Sequence, residues 1–153
     1  MRKVIAEKKV PVIMMHMQGT PKTMQEQPQY NDVVDDIITF FEEQIALCEK
    51  EGITQIICDP GIGFGKTVEH NLEILNRLKE FKILGKPLLI GTSRKSFIHK
   101  TIGGAPDDRV EGTIASNVVA RMNGAHIFRV HDVKACKRAL DLTNFIQNGE
   151  EKQ

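Results

Sequence analysis

Four short apolar stretches of the sequence are each followed by a segment in which apolar residues recur with helical spacing. The stretches predict strands at 10–15, 55–59, 88–91 and 126–130. The segments that follow predict helices at 31–51, 68–80, 94–99, 108–123 and 133–146. Strands with nearly unbroken apolar centres, each followed by a helix, indicate an α/β fold with a parallel sheet covered by helices.

Two architectures are compatible with four parallel strand-helix units. One is a flat doubly wound sheet, and the other is half of a (β/α)₈ barrel, whose full set of units takes about 250 residues. In both, functional side chains are expected at the carboxyl ends of the strands. No linker or low-complexity segment divides the chain, so residues 1–153 are predicted to form one domain, with a disordered polar tail at 148–153.

Composition and charge limit the classes of partner. The 153 residues are 41% hydrophobic and 27% charged, with a formal net charge of +1, which is typical of an ordinary globular domain and favours no nucleic-acid partner. The apolar runs are far shorter than the roughly 20 residues that span a bilayer, and no leader opens the chain, so we expect a cytoplasmic protein without a membrane partner. Three widely spaced cysteines, Cys48, Cys58 and Cys136, are expected to be reduced and buried.

A glycine-rich loop follows the second predicted strand. It reads Asp59-Pro-Gly-Ile-Gly-Phe-Gly-Lys66, and Pro60 stands where a phosphate-binding loop would need a glycine. The Asp59 carboxylate can accept from two adjacent N–H donors at once, as on the edge of a guanine or pterin ring. The alternative is that Asp59 only caps a turn. The loop therefore favours a flat, nitrogen-rich ligand over the phosphates of a nucleotide.

Cationic side chains follow the third and fourth predicted strands. The segment Thr92-Ser-Arg-Lys-Ser96 lies at a strand-to-helix turn, where free backbone N–H groups favour an anion, although a solvated basic turn is the alternative. Arg129 and His131 stand two residues apart, so strand alternation predicts that they share one face. This combination suits an anionic or phosphorylated ligand.

The first predicted strand ends in the run Met14-Met-His-Met-Gln-Gly-Thr-Pro21. Its methionines can line a pocket against an aromatic ring, or they can belong to the core. His16 can equally bond a neighbouring loop. Taken alone, the run leaves these alternatives open.

Together the four segments resemble the dihydropteroate synthase family of the pterin-binding TIM-barrel superfamily. The motifs occur in the family's order and cover nearly the whole chain; they are Met15-His-Met-Gln-Gly-Thr-Pro21, Asp59-Pro-Gly-Ile-Gly-Phe-Gly-Lys66, Gly91-Thr-Ser-Arg-Lys-Ser-Phe97 and Arg129-Val-His-Asp132. The resemblance implies the carboxyl-terminal half of the barrel, strands five to eight, as a partial pterin-binding domain. Members of this transferase family join 6-hydroxymethyl-7,8-dihydropterin diphosphate to para-aminobenzoate in folate biosynthesis and release diphosphate. Mg²⁺ aids the diphosphate, and sulfonamides compete at the aminobenzoate site.

The resemblance also implies roles for individual residues around the pterin. Asp59 accepts from the pterin amino group and ring N–H, and Lys95 donates to its carbonyl group and ring nitrogen. Met15 and Phe64 flank the ring. Gly91 belongs to the same set of substrate-binding positions.

The diphosphate and the aminobenzoate have implied partners of their own. Arg129 stacks on the pterin and, with His131, holds the diphosphate, while Ser96 receives the aminobenzoate carboxylate. Lys95, Arg129 and His131 are the implied catalytic residues. No residue of this chain is an implied metal ligand, because the asparagine that holds Mg²⁺ lies on the family's first strand.

The family's first four strands have no counterpart in the sequence, and residues 1–9 resemble the end of the helix before strand five. We therefore expect a half-barrel that is inactive alone and that self-associates or pairs with the missing half through its uncovered strand edges. Two alternatives are a methyltetrahydrofolate-binding methyltransferase and a non-catalytic pterin-binding half-barrel. Lys95 with Arg129 and His131 favours the synthase over the methyltransferase, which has no diphosphate to hold.

Overall fold

The computed structural model describes residues 1–20, 24, 28–105 and 109–149. In these ranges the helices are α1 Arg2–Lys8, α2 Val33–Lys50, α3 Val68–Asn76, α4 Ser96–Ile102, α5 Val110–Met122 and α6 Val133–Asn148. The strands are β1 Val12–Met15, β2 Ile56–Asp59, β3 Leu89–Ile90 and β4 Ile127–Phe128, and a 3₁₀ helix covers Leu78–Leu84. The four predicted strand-helix units are confirmed.

The strands pair in parallel, as predicted. β1 runs beside β2 with Met15 opposite Asp59, and β3 runs beside β4 with Ile90 opposite Phe128. A single parallel bridge between Cys58 and Leu88 joins the two pairs in the order β1-β2-β3-β4. Parallel strands that lie side by side in the order in which they occur in the chain are typical of a barrel. The carboxyl ends of such strands lie at one edge of the sheet.

The core lies between the strands and the helices that cover them. α2 contributes Val34, Ile37 and Phe41, which are fully buried at the helical spacing that the sequence indicated. Phe81 from the 3₁₀ helix and Ile90 from β3 are fully buried against the same cluster. Burying each of these side chains contributes about 1.5–3 kcal/mol relative to exposure, so this layer fixes where the strand ends lie.

Several predicted boundaries are wrong in detail. The helix predicted at 68–80 ends at Asn76 and continues as the 3₁₀ segment, which leaves Leu72 41% exposed while Leu75 and Leu78 are buried. The helix predicted at 94–99 begins only at Ser96, because Arg94 has a left-handed backbone with a φ of 57°. The periodicity of apolar residues does not predict such a local change in backbone conformation.

The starts of α3 and α6 differ in how their backbone N–H groups are capped. Thr67 and His70 form a reciprocal capping box at the start of α3, in which each side chain bonds the backbone N–H of the other residue. Asp132 stands at the N-cap of α6, but its side chain makes no capping bond and pairs with Arg94 instead. The guanidinium offers a charged partner, and such a bond is stronger than one to a neutral N–H.

Three further expectations concern the cysteines, a membrane span and the residues that the structure does not describe. Cys48, Cys58 and Cys136 are buried and free, as expected. Within the described ranges, no helix combines the length and the apolar character that crossing a membrane requires. Of the tail predicted at 148–153, Asn148 is the last residue of α6, and residues 150–153 lie outside the described residues. Pro21 of the first motif and Asp108, where a helix was predicted to begin, also lie outside them.

Candidate functional site

The carboxyl ends of β2 and β4 are joined by an ion pair. Arg129 Nη2 donates to Asp59 Oδ2 at 2.9 Å. The Asp59 side chain is 1% exposed, whereas that of Arg129 is 54% exposed. The other carboxylate oxygen, Oδ1, accepts from the backbone N–H of Gly61 at 2.9 Å. Asp59 therefore does bond within its own turn, but it also carries a buried charge that a cation from another strand neutralises.

Lys95 lies close to the same pair. Its Nζ is 3.9 Å from the centre of the Phe64 ring, so the ammonium group rests on an aromatic face. Partial burial holds the pKa of Lys95 below its usual range, and the Arg129 charge lowers it further while Asp59 opposes both. The structure thus brings Asp59, Phe64, Lys95 and Arg129 together at the strand ends.

Gly91, at the end of β3, allows the Arg129 guanidinium to reach this position. A Cβ atom at residue 91 would lie 3.0 Å from Arg129 Nη2 and 3.4 Å from its Nε. A side chain there would push away the group that neutralises Asp59. Gly91 was predicted to bind substrate, and in the structure it contacts a predicted substrate-binding side chain.

His131 makes a separate contact. Its Nδ1 lies 2.9 Å from Ser93 Oγ, on the turn after β3. β4 ends at Phe128, so Arg129 and His131 follow the strand rather than continue it. The alternation argument therefore does not apply to them, and they contact different elements: Arg129 meets the end of β2, and His131 meets the turn after β3.

The first strand divides its methionines between two environments. Met14 Sδ lies 3.8 Å from Cys48 Sγ of α2 and belongs to the core side. Met15 is half-buried, and its Cγ would lie 3.4 Å from a Cβ at Gly61. Met15 is therefore beside the glycine loop that also carries Phe64, which is where the predicted pocket wall would be.

Ser96 borders a cavity of about 280 Å³ beside the glycine loop. The other polar residues that line it are Lys66, Thr67, Glu69, Asn71 and Lys100. Ser96 itself is exposed at the first residue of α4. The cavity is polar and carries both signs of charge, because Lys66 and Lys100 line it together with Glu69.

Sequence reasoning missed the role of Lys66. Its side chain is buried, and its Nζ lies 3.0 Å from His16 Nδ1 and donates to the Phe64 carbonyl oxygen at 3.0 Å. Burial lowers the pKa of Lys66 to about 7, with the Asp59 charge opposing that shift. Burial and then the Lys66 charge lower the pKa of His16 to about 4. The signal in the sequence is a lysine that directly follows a glycine loop.

The glycine loop itself is fitted closely against the end of β1. A Cβ at Gly61 would lie 1.9 Å from the His16 carbonyl oxygen, and one at Gly65 would lie 2.5 Å from the Gln18 carbonyl oxygen. Asn71 of α3 accepts from the Gly63 N–H at 2.7 Å, on the opposite flank of the loop. The loop is thus held on two sides, and glycine is required by space as well as by positive φ.

The described residues do not fit a Mg²⁺ site. They contain no group of three or more histidine, cysteine or acidic side chains that could hold a metal ion. The magnesium expected from the resemblance stays a prediction about residues outside this chain.

Comparison with known proteins decides the family. Residues 1–131 match the model of the pterin binding enzyme family. The chain belongs to that family. It is 50% identical over 137 residues to dihydropteroate synthase of Escherichia coli, an alignment that covers 88% of this chain and 49% of the relative. The predicted resemblance to dihydropteroate synthases is confirmed.

Solved structures of family members agree with the fold. The Yersinia pestis dihydropteroate synthase in a sulfonamide drug complex superposes with a TM-score of 0.94 at 41% identity, over 97% of this chain and 55% of that one. The Thermus thermophilus dihydropteroate synthase in complex with 6HMPPP gives a TM-score of 0.91 at 38% identity, over 96% and 59%. The chain spans about half the length of the relatives it matches, and the predicted TIM-barrel type of α/β fold is supported at that level.

Proposed function

We propose that this chain is the carboxyl-terminal half of a dihydropteroate synthase and supplies strands five to eight of its (β/α)₈ barrel. The reaction joins the amine of para-aminobenzoate to the methylene carbon of 6-hydroxymethyl-7,8-dihydropterin diphosphate. The observation that carries the proposal is the buried Asp59 carboxylate, 2.9 Å from Arg129 and beside Lys95 at the carboxyl ends of parallel strands. It is supported by relatives that are dihydropteroate synthases, one of which has been solved with 6HMPPP and with 4-aminobenzoate.

The pterin would lie against the Asp59 carboxylate. Each Asp59 oxygen keeps a second lone pair beside the bond that it makes to Arg129 or Gly61, so the carboxylate could also accept charge-assisted bonds from the pterin amino and ring N–H groups. Lys95, held over Phe64, would donate to the pterin carbonyl and ring nitrogen. Met15, which lies beside the glycine loop, and Phe64, which belongs to it, would contact the pterin ring.

The diphosphate would lie against Arg129 and His131. A guanidinium group has five N–H donors, and one Arg129 nitrogen bonds Asp59 in the described structure. The exposed part of Arg129 and the exposed His131 leave donors for phosphate oxygens. A cation shared between Asp59 and the diphosphate would couple recognition of the ring to recognition of the leaving group.

The aminobenzoate carboxylate would lie in the cavity beside Ser96. The hydroxyl group can donate to a carboxylate oxygen, and Lys100 contributes positive potential that Glu69 partly offsets. The second substrate would then approach from the glycine-loop side, while the diphosphate leaves on the side of Arg129.

Electrostatic stabilisation of the leaving group is the chemistry that these residues supply. The carbon–oxygen bond to diphosphate breaks as positive charge develops on the pterin methylene carbon. The amine nitrogen then forms the new carbon–nitrogen bond and loses a proton. Fixed cations beside the departing diphosphate lower the barrier because they need no reorganisation at the moment of bond breaking.

We propose further that the chain functions as part of a closed barrel. Ile13 of β1 is 50% exposed and Ile127 of β4 is 37% exposed, on the two strands that end the row of four. Exposed apolar strand edges favour pairing with another chain. The other half of the barrel is the occupant expected there, and self-association is expected when that half is not supplied.

One alternative keeps a specific observation in its favour. The chain spans about half of its relatives, so a non-catalytic pterin-binding half-barrel accounts for the same pocket without turnover. A methyltetrahydrofolate-binding methyltransferase, the other alternative, gives no role to the cations that follow β4. Binding and turnover assays separate these functions.

Two experiments test the proposal. The chain is titrated with the dihydropterin diphosphate, and dihydropteroate formation is then assayed with and without a supplied amino-terminal half. We expect binding by the chain and turnover only with both halves. Arg129→Ala and Lys95→Ala should each weaken binding by about 1.5–3 kcal/mol, as loss of a charge-assisted contact does. Arg138→Ala is the matched control, since Arg138 is exposed on α6.

The outcomes distinguish the candidates. Binding without turnover in the presence of both halves supports the non-catalytic half-barrel. Methyl transfer from methyltetrahydrofolate supports the methyltransferase. Unchanged affinity in both Arg129→Ala and Lys95→Ala contradicts the assigned pocket.

A further inference from the structure

Ser93 and His131 are joined by two hydrogen bonds through one oxygen atom. The backbone N–H of His131 donates to Ser93 Oγ at 3.1 Å, and the same Oγ lies 2.9 Å from His131 Nδ1. A hydroxyl group has one hydrogen to donate and two lone pairs with which to accept. One lone pair is taken by the backbone N–H, which leaves the hydroxyl hydrogen and the second lone pair available to the ring.

Burial decides the direction of the second bond. Ser93 is 6% exposed, and in the described part of the chain its Oγ has these two partners and no other. If Nδ1 carried the hydrogen, Oγ would accept twice and its buried O–H would have no described acceptor, which is unfavourable. Donation from Ser93 to Nδ1 satisfies both groups. It makes Nδ1 an acceptor and puts the hydrogen of the neutral imidazole on Nε2.

Neighbouring contacts keep this pair in place. The Arg94 guanidinium, next to Ser93 in the chain, donates to both carboxylate oxygens of Asp132 at 3.2 Å and 2.9 Å. Asp132 directly follows His131, so this ion pair brackets the hydroxyl–imidazole contact. Thr92, which precedes Ser93, is fully buried. The Ser93 hydroxyl is therefore carried on a turn that packing and a salt bridge both restrain.

We propose that Ser93 is a positioning residue for His131, whose imidazole it holds as the Nε2–H tautomer so that one N–H donor is presented to an anionic phosphate oxygen of the substrate. The proposal rests on the proposed function, which places the diphosphate at His131. His131 is exposed while its Nδ1 is engaged, so Nε2 is the ring nitrogen left for a ligand. A neutral imidazole free to exchange tautomers would offer this donor for only part of the time.

Imidazole ¹⁵N NMR of the 153-residue chain tests the tautomer without any ligand. At a pH where the ring is neutral, we expect the wild type and Ser93→Thr, which keeps the hydroxyl, to carry the hydrogen on Nε2. Ser93→Ala, which only removes an atom and creates no clash, should show a mixture of tautomers. His131→Gln assigns the signal. An unchanged tautomer in Ser93→Ala, or hydrogen on Nδ1 in the wild type, overturns the proposal.

Titration with inorganic diphosphate tests the consequence for binding. Ser93→Ala should weaken affinity in proportion to the loss of the Nε2–H form, about twofold for an even mixture of tautomers, and Ser93→Thr should restore it. In a His131→Ala background the same Ser93→Ala change should have no further effect, because its role acts through the imidazole. An equal loss in both backgrounds overturns the proposal. If the wild type keeps the Nε2–H tautomer but does not bind diphosphate, the phosphate assignment fails with the proposed function, while the tautomer result stands.

Discussion

Arg129 Nη2 lies 2.9 Å from Asp59 Oδ2, although 70 residues separate the two in the chain. The pair joins the ends of β2 and β4, which are not neighbours in the strand order. Asp59 is buried and Arg129 is half exposed, so the carboxylate depends on this cation more than the cation depends on it. The same two residues hold the fold together at the site and are the groups expected to meet the pterin and the diphosphate.

Removing the cation should destabilise the folded chain. Arg129→Ala leaves the Asp59 charge with the Gly61 N–H as its described partner, and we expect the free energy of unfolding to fall by about 1–3 kcal/mol. Urea unfolding followed by circular dichroism measures the change. Arg138→Ala on α6 is the control and should shift the midpoint little.

A double substitution tests whether Arg129 stabilises the chain by pairing with Asp59. Asp59→Asn removes the buried charge, so adding Arg129→Ala to it should cost less than Arg129→Ala costs alone. Equal costs in the two backgrounds would mean that Arg129 stabilises the chain through some other contact.

The buried Lys66 and His16 should make stability depend on pH. The pKa of His16 is lowered from 6.5 to about 4 and that of Lys66 from 10.5 to about 7. The unfolded chain therefore binds more protons than the folded one between pH 4 and 6.5, through His16, and between pH 7 and 10.5, through Lys66. In both windows the free energy of unfolding should rise with pH.

Denaturant unfolding at a series of pH values measures these slopes. Lys66→Met should flatten the slope in the alkaline window, and His16→Gln should flatten it in the acidic window. Lys79→Met is the control for a lysine outside this loop. A slope that persists in the alkaline window of Lys66→Met would assign that proton to a different group.

Close packing of the glycine loop should show in two matched substitutions. Gly61 and Gly52 have similar φ values, +72° and +79°, but a Cβ meets the His16 carbonyl oxygen at Gly61 and nothing within 4 Å at Gly52. Gly52→Ala should cost only the conformational penalty of about 1–2 kcal/mol. Gly61→Ala should cost about 1–3 kcal/mol more, because backbone atoms have to move.

Thermal or urea unfolding of both variants gives the difference directly. Phe64 and Lys66 lie in the same loop, so Gly61→Ala should also weaken pterin binding while Gly52→Ala should not. Equal destabilisation by the two changes would show that the loop accommodates a side chain.

The exposed strand edges should govern self-association. Ile13→Lys and Ile127→Lys place a charge on the two outer strands and should shift the chain toward monomer, since charges on an edge oppose pairing. Ile83→Lys is the control, because Ile83 is 73% exposed on the 3₁₀ helix. Light scattering coupled to size exclusion reads the mass. A monomeric wild type, or equal effects of all three changes, would contradict association through the edges.

The sequence by itself determined the four strand-helix units and the kind of residue at each strand end. Hydrophobic periodicity is a local property, so the buried face of α2 could be predicted without knowing its neighbours. Parallel strands place their carboxyl ends at one edge, so Asp59, Lys95 and Arg129 could be expected together. The boundaries of β4 and α4 could not be predicted in this way. The end of a strand depends on the strand that it pairs with, and the left-handed backbone of Arg94 depends on tertiary contacts.

Tertiary structure alone decided which of these polar groups bond to one another. Lys66 with His16 and Ser93 with His131 are separated by 50 and 38 residues, and no spacing rule relates them. Their pairing follows from burial: a polar atom removed from water has to find a partner among whatever the fold places nearby. The sequence carried the chemistry of the strand ends, and packing chose the partners.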